Sequence, residues 1–104
     1  MIIVTTDTVQ DKETVEVKGL VQGSTVRGKH VGRDIMAGLK NLVGGELKGY
    51  TELLNESRQE ATTRMLQQAQ QRGANAVVCV RYATNAITQN ASEVYCYGTA
   101  VVVR

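Results

Sequence analysis

"TVEVKGLVQGSTVRGKH", residues 14–30, admits two readings that lead to different folds. Taken from Thr14 it alternates: Val15, Val17, Gly19, Val21 and Gly23 on one side, Glu16, Lys18, Leu20, Gln22 and Ser24 on the other. A period of two is the mark of a half-buried strand. Taken from Gly23, "GSTVRGKH" fits the first seven positions of G-x-x-x-x-G-K-[ST], with His30 where Ser or Thr belongs. A phosphate loop needs a strand that ends at the first glycine, a helix that opens after the lysine, and a hydroxyl for magnesium. Here the alternation carries through Val26, His30 offers no hydroxyl, and no apolar run ending in Asp follows as a second magnesium anchor. The strand reading prevails. Gly19 and Gly23, on its apolar side, then mark a bulge or a closely approaching neighbour.

After this strand the period changes. In "RDIMAGLKNLV", 33–43, Ile35, Met36, Leu39, Leu42 and Val43 form one helical stripe, and Gly44 and Gly45 end it. A longer helix is expected from about Tyr50 to Arg72, with Tyr50, Leu54, Ala61, Met65 and Ala69 on a narrow seam and Gly73 as its stop. Glu60 and Arg64 stand at i and i+4 in the favourable order. "NAVVCVRYATNAIT", 75–88, and "EVYCYGTAVVV", 93–103, read as strands around a turn at "QNAS", 89–92. Val101 to Val103 is apolar without alternation, which points to cover on both faces. Ile2 to Thr5 is a short strand or an arm. The expected fold is α+β in the order β-α-α-β-β, an antiparallel sheet with packed helices, in one domain over 1–104.

The apolar inventory is thin. The chain of 104 residues has fifteen Val but seven Leu, four Ile, three Met, no Phe and no Trp. Such a domain buries small side chains and gains modest stability, so association of several copies is expected. Net charge is +2 and spread along the chain, without the basic cluster of a nucleic-acid binder. "MIIVTTDTVQ", 1–10, has neither the basic flank and apolar core of a secretory signal nor the length of a membrane span. Two cysteines without an export signal read as reduced thiols of a cytoplasmic protein.

Few residues invite chemistry. His30 and Asp34 meet on one face if a helix begins by Val31, either as a cap or as a base oriented by a carboxylate. Asp34 suits a helix N-terminus and leaves Arg33 free to reach a neighbour. Arg81, between Val80 and Tyr82 in a strand of valines, calls for a partner such as Asp34 or Glu93, a subunit boundary or an anionic ligand. His30, Arg33, Asp34 and Arg81 are therefore the candidate ligand-binding residues. Cys79, Cys96 and His30 are the candidate ligands for a divalent heavy metal. With the turn at 89–92, Cys96 faces Asn85 and Cys79 faces Val102. The thiols then lie about 20 Å apart along the ladder, too far to share an ion within one subunit.

Four blocks, "GRDIMAGLKNLVGGELKGY" (32–50), "LLNESRQEA" (53–61), "RGANAVV" (72–78) and "YGTAVVV" (97–103), resemble the YbjQ-like family across almost the whole chain. These are small bacterial proteins of uncharacterised function that carry the label "putative heavy-metal-binding". The resemblance implies a dodecin-like α+β subunit assembled as a homopentamer. Arg33, Asp34, Gly44, Gly45, Tyr50, Gly73, Ala74, Asn75, Ala76, Gly98 and Thr99 match the family pattern, and no catalytic role comes with them. Many relatives carry Gly where Cys79 stands, and some carry Asn at the place of His30. The expected function is a cytoplasmic, non-enzymatic homo-oligomer that holds an unidentified ligand between subunits and needs no cofactor. The alternatives are a heavy-metal-binding or metal-trafficking protein and an enzyme with a site between subunits.

Overall fold

The computed structural model describes residues 1–27, 48–88 and 91–104. The helix expected over 33–43 lies outside them, as do His30, Arg33 and Asp34. The described elements run β1 (Ile2–Ile3), β2 (Thr14–Arg27), α1 (Lys48–Gln71), β3 (Ala76–Thr88) and β4 (Ala91–Val103). They form a single small α+β domain in which one four-stranded sheet, ordered β1-β3-β4-β2, carries α1 on one face. β2, β4 and β3 are antiparallel neighbours. The sheet is mixed rather than antiparallel throughout, because β1 runs parallel to β3. The N-terminal arm causes this. Val4 N donates to Val77 O at 3.0 Å, Val80 N to Val4 O at 3.1 Å and Cys79 N to Thr6 O at 3.0 Å, so the arm borders β3 well beyond Ile3.

Helix α1 forms where the apolar seam was read. Ala61, Met65 and Ala69 are fully buried against Val21, Val77, Val80, Cys96 and Ala100. Gly73 follows it at φ 78°, a left-handed stop open to glycine. Asn75 then ties the chain to the end of β4, since its side chain accepts from Val103 N at 2.8 Å and donates to Val103 O at 2.9 Å. On the opposite face of the sheet Val9, Ala76, Val78, Val101 and Val103 form a second cluster under the arm, with Ile2, Val4 and Cys79 against it. Val101 and Val103 are thus covered by their own chain.

β2 carries a correction to the simple alternation. A bulge between Val17 and Gly19, where Gly19 takes φ 102°, moves the pattern across the sheet. Gly19 pairs with Ala100 of the helix-side cluster, whereas Val17 pairs with Val101 of the cluster beneath the arm. Val21, Gly23 and Thr25 are buried, and Val17 and Leu20 are left 65% and 61% exposed. The outer edge of β2 is closed by α1 instead of a strand. Arg64 donates to Ser24 O at 2.5 Å, Gln22 N donates to the Gln68 side chain at 2.7 Å, and Arg72 donates to Leu20 O at 2.5 Å. Steps of four residues along a helix (about 6 Å) match steps of two along a strand (about 6.6 Å), so the two rows stay in register.

The molecule is thin, 51 × 28 × 16 Å, with a radius of gyration of 16.6 Å. A compact chain of this length has about 13 Å. It exposes 7006 Å², whereas a folded monomer of its mass exposes about 5,700 Å². Among the described residues no helix is long and apolar enough to cross a membrane.

Candidate functional site

The near-signature at 23–30 opens on a strand. β2 continues unbroken through Arg27, and Gly23 lies inside it, paired with Cys96. The buried face of Gly23 meets α1: a Cβ there would fall on Ala61 O and within 2.5 Å of Met65 N. This glycine admits a helix, not a phosphate.

The two thiols occupy opposite faces of the sheet. Cys96 is buried beneath α1 and opposes Tyr82 rather than Asn85. Burial pushes its thiol above the ordinary value of 9.0, against weaker opposing hydrogen bonds from the Gly23 backbone and the Thr62 side chain. Cys79 pairs with no residue of β4. It sits in a bulge in which Cys79 and Val80 span one residue, Gly98, and its φ is 55°. Its half-buried side chain packs on the cluster beneath the arm. The expected pairing of Cys79 with Val102 fails because this bulge and the pairing of Thr88 with Ala91 shift the register. Among the described residues no three His, Cys, Asp or Glu side chains gather as metal ligands.

A left-handed backbone costs a residue with a Cβ about 1–2 kcal/mol, and glycine gives back part of that in chain entropy. Cys79→Gly is therefore expected to raise stability by about 0.5–1 kcal/mol in urea unfolding, and Cys79→Val to lower it. A loss on going to glycine would show that the thiol contributes more than the strain removes.

Arg81 is exposed, and its guanidinium donates to Thr5 O at 3.1 Å and to Val80 O at 3.0 Å. The side chain thereby ties the arm to β3. Its cross-strand neighbour is Tyr97, and Glu93 lies four residues away, opposite Asn85. Open concavities occur among the described residues. A polar groove of about 620 Å³ runs between the β2 edge and α1, lined by Gln22, Ser24, Arg64, Gln68, Glu93 and Tyr95 among others. A second, of about 560 Å³, lies where Thr62 and Tyr82 hydroxyls meet at 2.7 Å. The third, of about 410 Å³, is lined by Ile3, Val4, Thr5, Thr6, Val80 and Tyr82 at the β1 edge. The clamp of Arg64, Gln68 and Arg72 was missed in the sequence, where polar residues at i, i+4 and i+8 beside an apolar seam are its one visible trace.

The chain resembles known proteins over its full length. It is 60% identical over 103 residues to a "UPF0145 protein" of Hahella chejuensis, covering 99% of each chain. It is 53% identical over 104 residues to a "UPF0145 protein" of Archaeoglobus fulgidus, covering 100% of this chain and 96% of that one. Among solved structures, a protein of unknown function from the DUF74 family of Pediococcus pentosaceus superposes with a TM-score of 0.68 at 15% identity, over 100% of this chain and 98% of that one. That likeness concerns the fold alone. A family profile described as "Putative heavy-metal-binding" matches residues 1–104, and with relatives of this identity along the whole chain the protein belongs to the YbjQ family.

Proposed function

We propose that this protein is a cytoplasmic, non-enzymatic assembly module: a homopentamer of dodecin-like subunits that holds a small ligand where subunits meet. The observation that carries the reading is area. The subunit exposes 7006 Å², about 1,300 Å² more than its mass calls for, and its bare surface includes Val17, Leu20, Val26, Ile3, Ile87, Tyr82 and Tyr97. Scattered apolar residues are ordinary on a monomer, but surplus area of this size is what a subunit loses to its neighbours. The C-terminal valines do not supply that surface, since Val101 and Val103 are already covered.

Light scattering at micromolar concentration is expected to give five times the 11.3 kDa subunit mass. A folded species of 11.3 kDa would remove the reading. Small molecules extracted from the denatured, freshly purified assembly identify the ligand, and an empty extract leaves the structural half of the proposal alone.

Heavy-metal binding, the description attached to the family, finds no donor set within the described residues of one subunit. Cys96 is sealed under α1 with its proton held, and Cys79 belongs to the other face. His30 lies outside the described residues. Native mass spectrometry with zinc and cadmium is expected to give Cys79→Gly the stoichiometry of the unaltered protein. A metal lost with the thiol would make the ion the better reading.

A further inference from the structure

Resting on that reading of a collective protein, we infer that neighbouring copies overlap head to tail. The aliphatic ridge of β2, Val17 and Leu20, seats in the groove of Ile3, Val80 and Tyr82 at the far edge of the next copy. The two surfaces sit at opposite ends of the sheet, since β2 and β1 are its outermost strands. They also sit on opposite faces. Val17 and Leu20 lie across from Val101 and Thr99, the side away from α1. Ile3 pairs with Val77 of the helix-side cluster, and the Tyr82 hydroxyl meets Thr62 of α1, so the groove opens on the helix side.

That placement decides the symmetry. A two-fold contact joins a patch to its own copy, whereas contact between two different patches repeats around a ring or along a filament. Apolar surfaces on opposite faces at opposite edges overlap as tiles do, each edge lying over the next. The area agrees, since the surplus of about 1,300 Å² approaches the roughly 1,600 Å² that a subunit loses to two ordinary interfaces at about 800 Å² each. Shape agrees too. The ridge projects two aliphatic side chains, and the groove of about 410 Å³ is walled largely by Ile3, Val4, Val80 and the Tyr82 ring.

The contact does not extend the sheet at this point. Leu20 O, Gln22 N and Ser24 O, three of the groups that an added strand would use, are already held by Arg72, Gln68 and Arg64. With the backbone edge closed over 20–24, what β2 offers a neighbour here is its outer face.

The test uses two exposed substitutions on the full chain, Leu20→Asp on the ridge and Ile3→Asp in the groove. Each alone is expected to run as a monomer in light scattering with an unchanged circular dichroism spectrum. Mixed one to one they are expected to form a dimer that grows no further, because the first retains a sound groove and the second a sound ridge. Thr5→Glu, on the wall of the same groove, replaces Ile3→Asp should that variant fold poorly. Variants that keep the parent mass would overturn the assigned surfaces while leaving assembly itself intact. Monomers that do not complement on mixing would overturn the head-to-tail order. A fall in melting temperature without a change of mass would show Leu20 covered by its own chain and would also overturn it. A parent protein that is itself monomeric removes the underlying reading before any variant is made.

Discussion

Gly23→Ala is expected to unseat helix α1 and to cost about 3 kcal/mol or more, the largest loss from one added methyl group at any of the glycines Gly19, Gly23, Gly73 and Gly98. Its Cβ would overlap Ala61 O, reach within 2.5 Å of Met65 N and stand 3.0 Å from Arg64 Cβ. Two of these three neighbours are helix backbone, which cannot rotate aside as a side chain would. Relief requires α1 to withdraw from β2, and the withdrawal takes Ala61 and Met65 out of the cluster around Val21 and Cys96. It also pulls Arg64 and Gln68 off the β2 edge. Urea unfolding followed by circular dichroism checks the loss, with Ser24→Ala as the neighbouring control, expected within about 0.5 kcal/mol. A Gly23→Ala protein within about 1 kcal/mol of the parent would mean that the helix leaves room for a methyl group above Gly23.

The same glycine shows what could be read from the chain and what could not. The alternation over 14–26 announced β2, and the spacing of Ala61, Met65 and Ala69 announced α1, because each element repeats its contacts with a fixed period. The near-signature at Gly23 is a coincidence of composition, since glycine serves a phosphate loop and a close helix equally well, and the alternation through Val26 decided for the strand. Bulges were harder. The extra residue at Lys18 and the pair Cys79–Val80 opposite Gly98 change which face each later residue takes, yet neither alters the count of apolar letters. The strand pairing expected from the turn at 89–92 ran three residues out, with Cys96 against Asn85 instead of Tyr82, because Thr88 already pairs with Ala91 and a further irregularity lies between Ala86 and Thr88. The parallel arm was invisible for another reason: its bonds join residues more than seventy positions apart. Of the candidate site, Arg81, Cys79 and Cys96 are described, and they divide between the arm, a strained bulge and the core. His30, Arg33 and Asp34 fall outside the described residues. The sequence alone foresaw the shortage of bulk, and the excess of exposed surface is the same shortage seen in area.

That shortage makes Met65 the second position of large effect. Among the described residues it is the biggest fully buried side chain, in a cluster with Val21, Val77, Cys96 and four alanines. Small neighbours on β-strands cannot close over the space it leaves, so Met65→Ala is expected to cost about 3–4 kcal/mol. In a domain of this size that lowers the melting temperature by roughly 15–25 °C. Met65→Leu, which keeps the volume, is expected to stay within about 1.5 kcal/mol. The weakened variant also separates what the subunit owes to itself from what it owes to its neighbours. Where partners bind only the folded form, dilution lowers stability by mass action. The melting temperature of Met65→Ala is therefore expected to climb as its concentration rises from one to a hundred micromolar. The doubly substituted Met65→Ala/Leu20→Asp chain should melt at one temperature throughout. A Met65→Ala transition indifferent to concentration would place all of the protein's stability inside a single copy, and the exposed ridge of β2 would then contribute nothing to holding the fold.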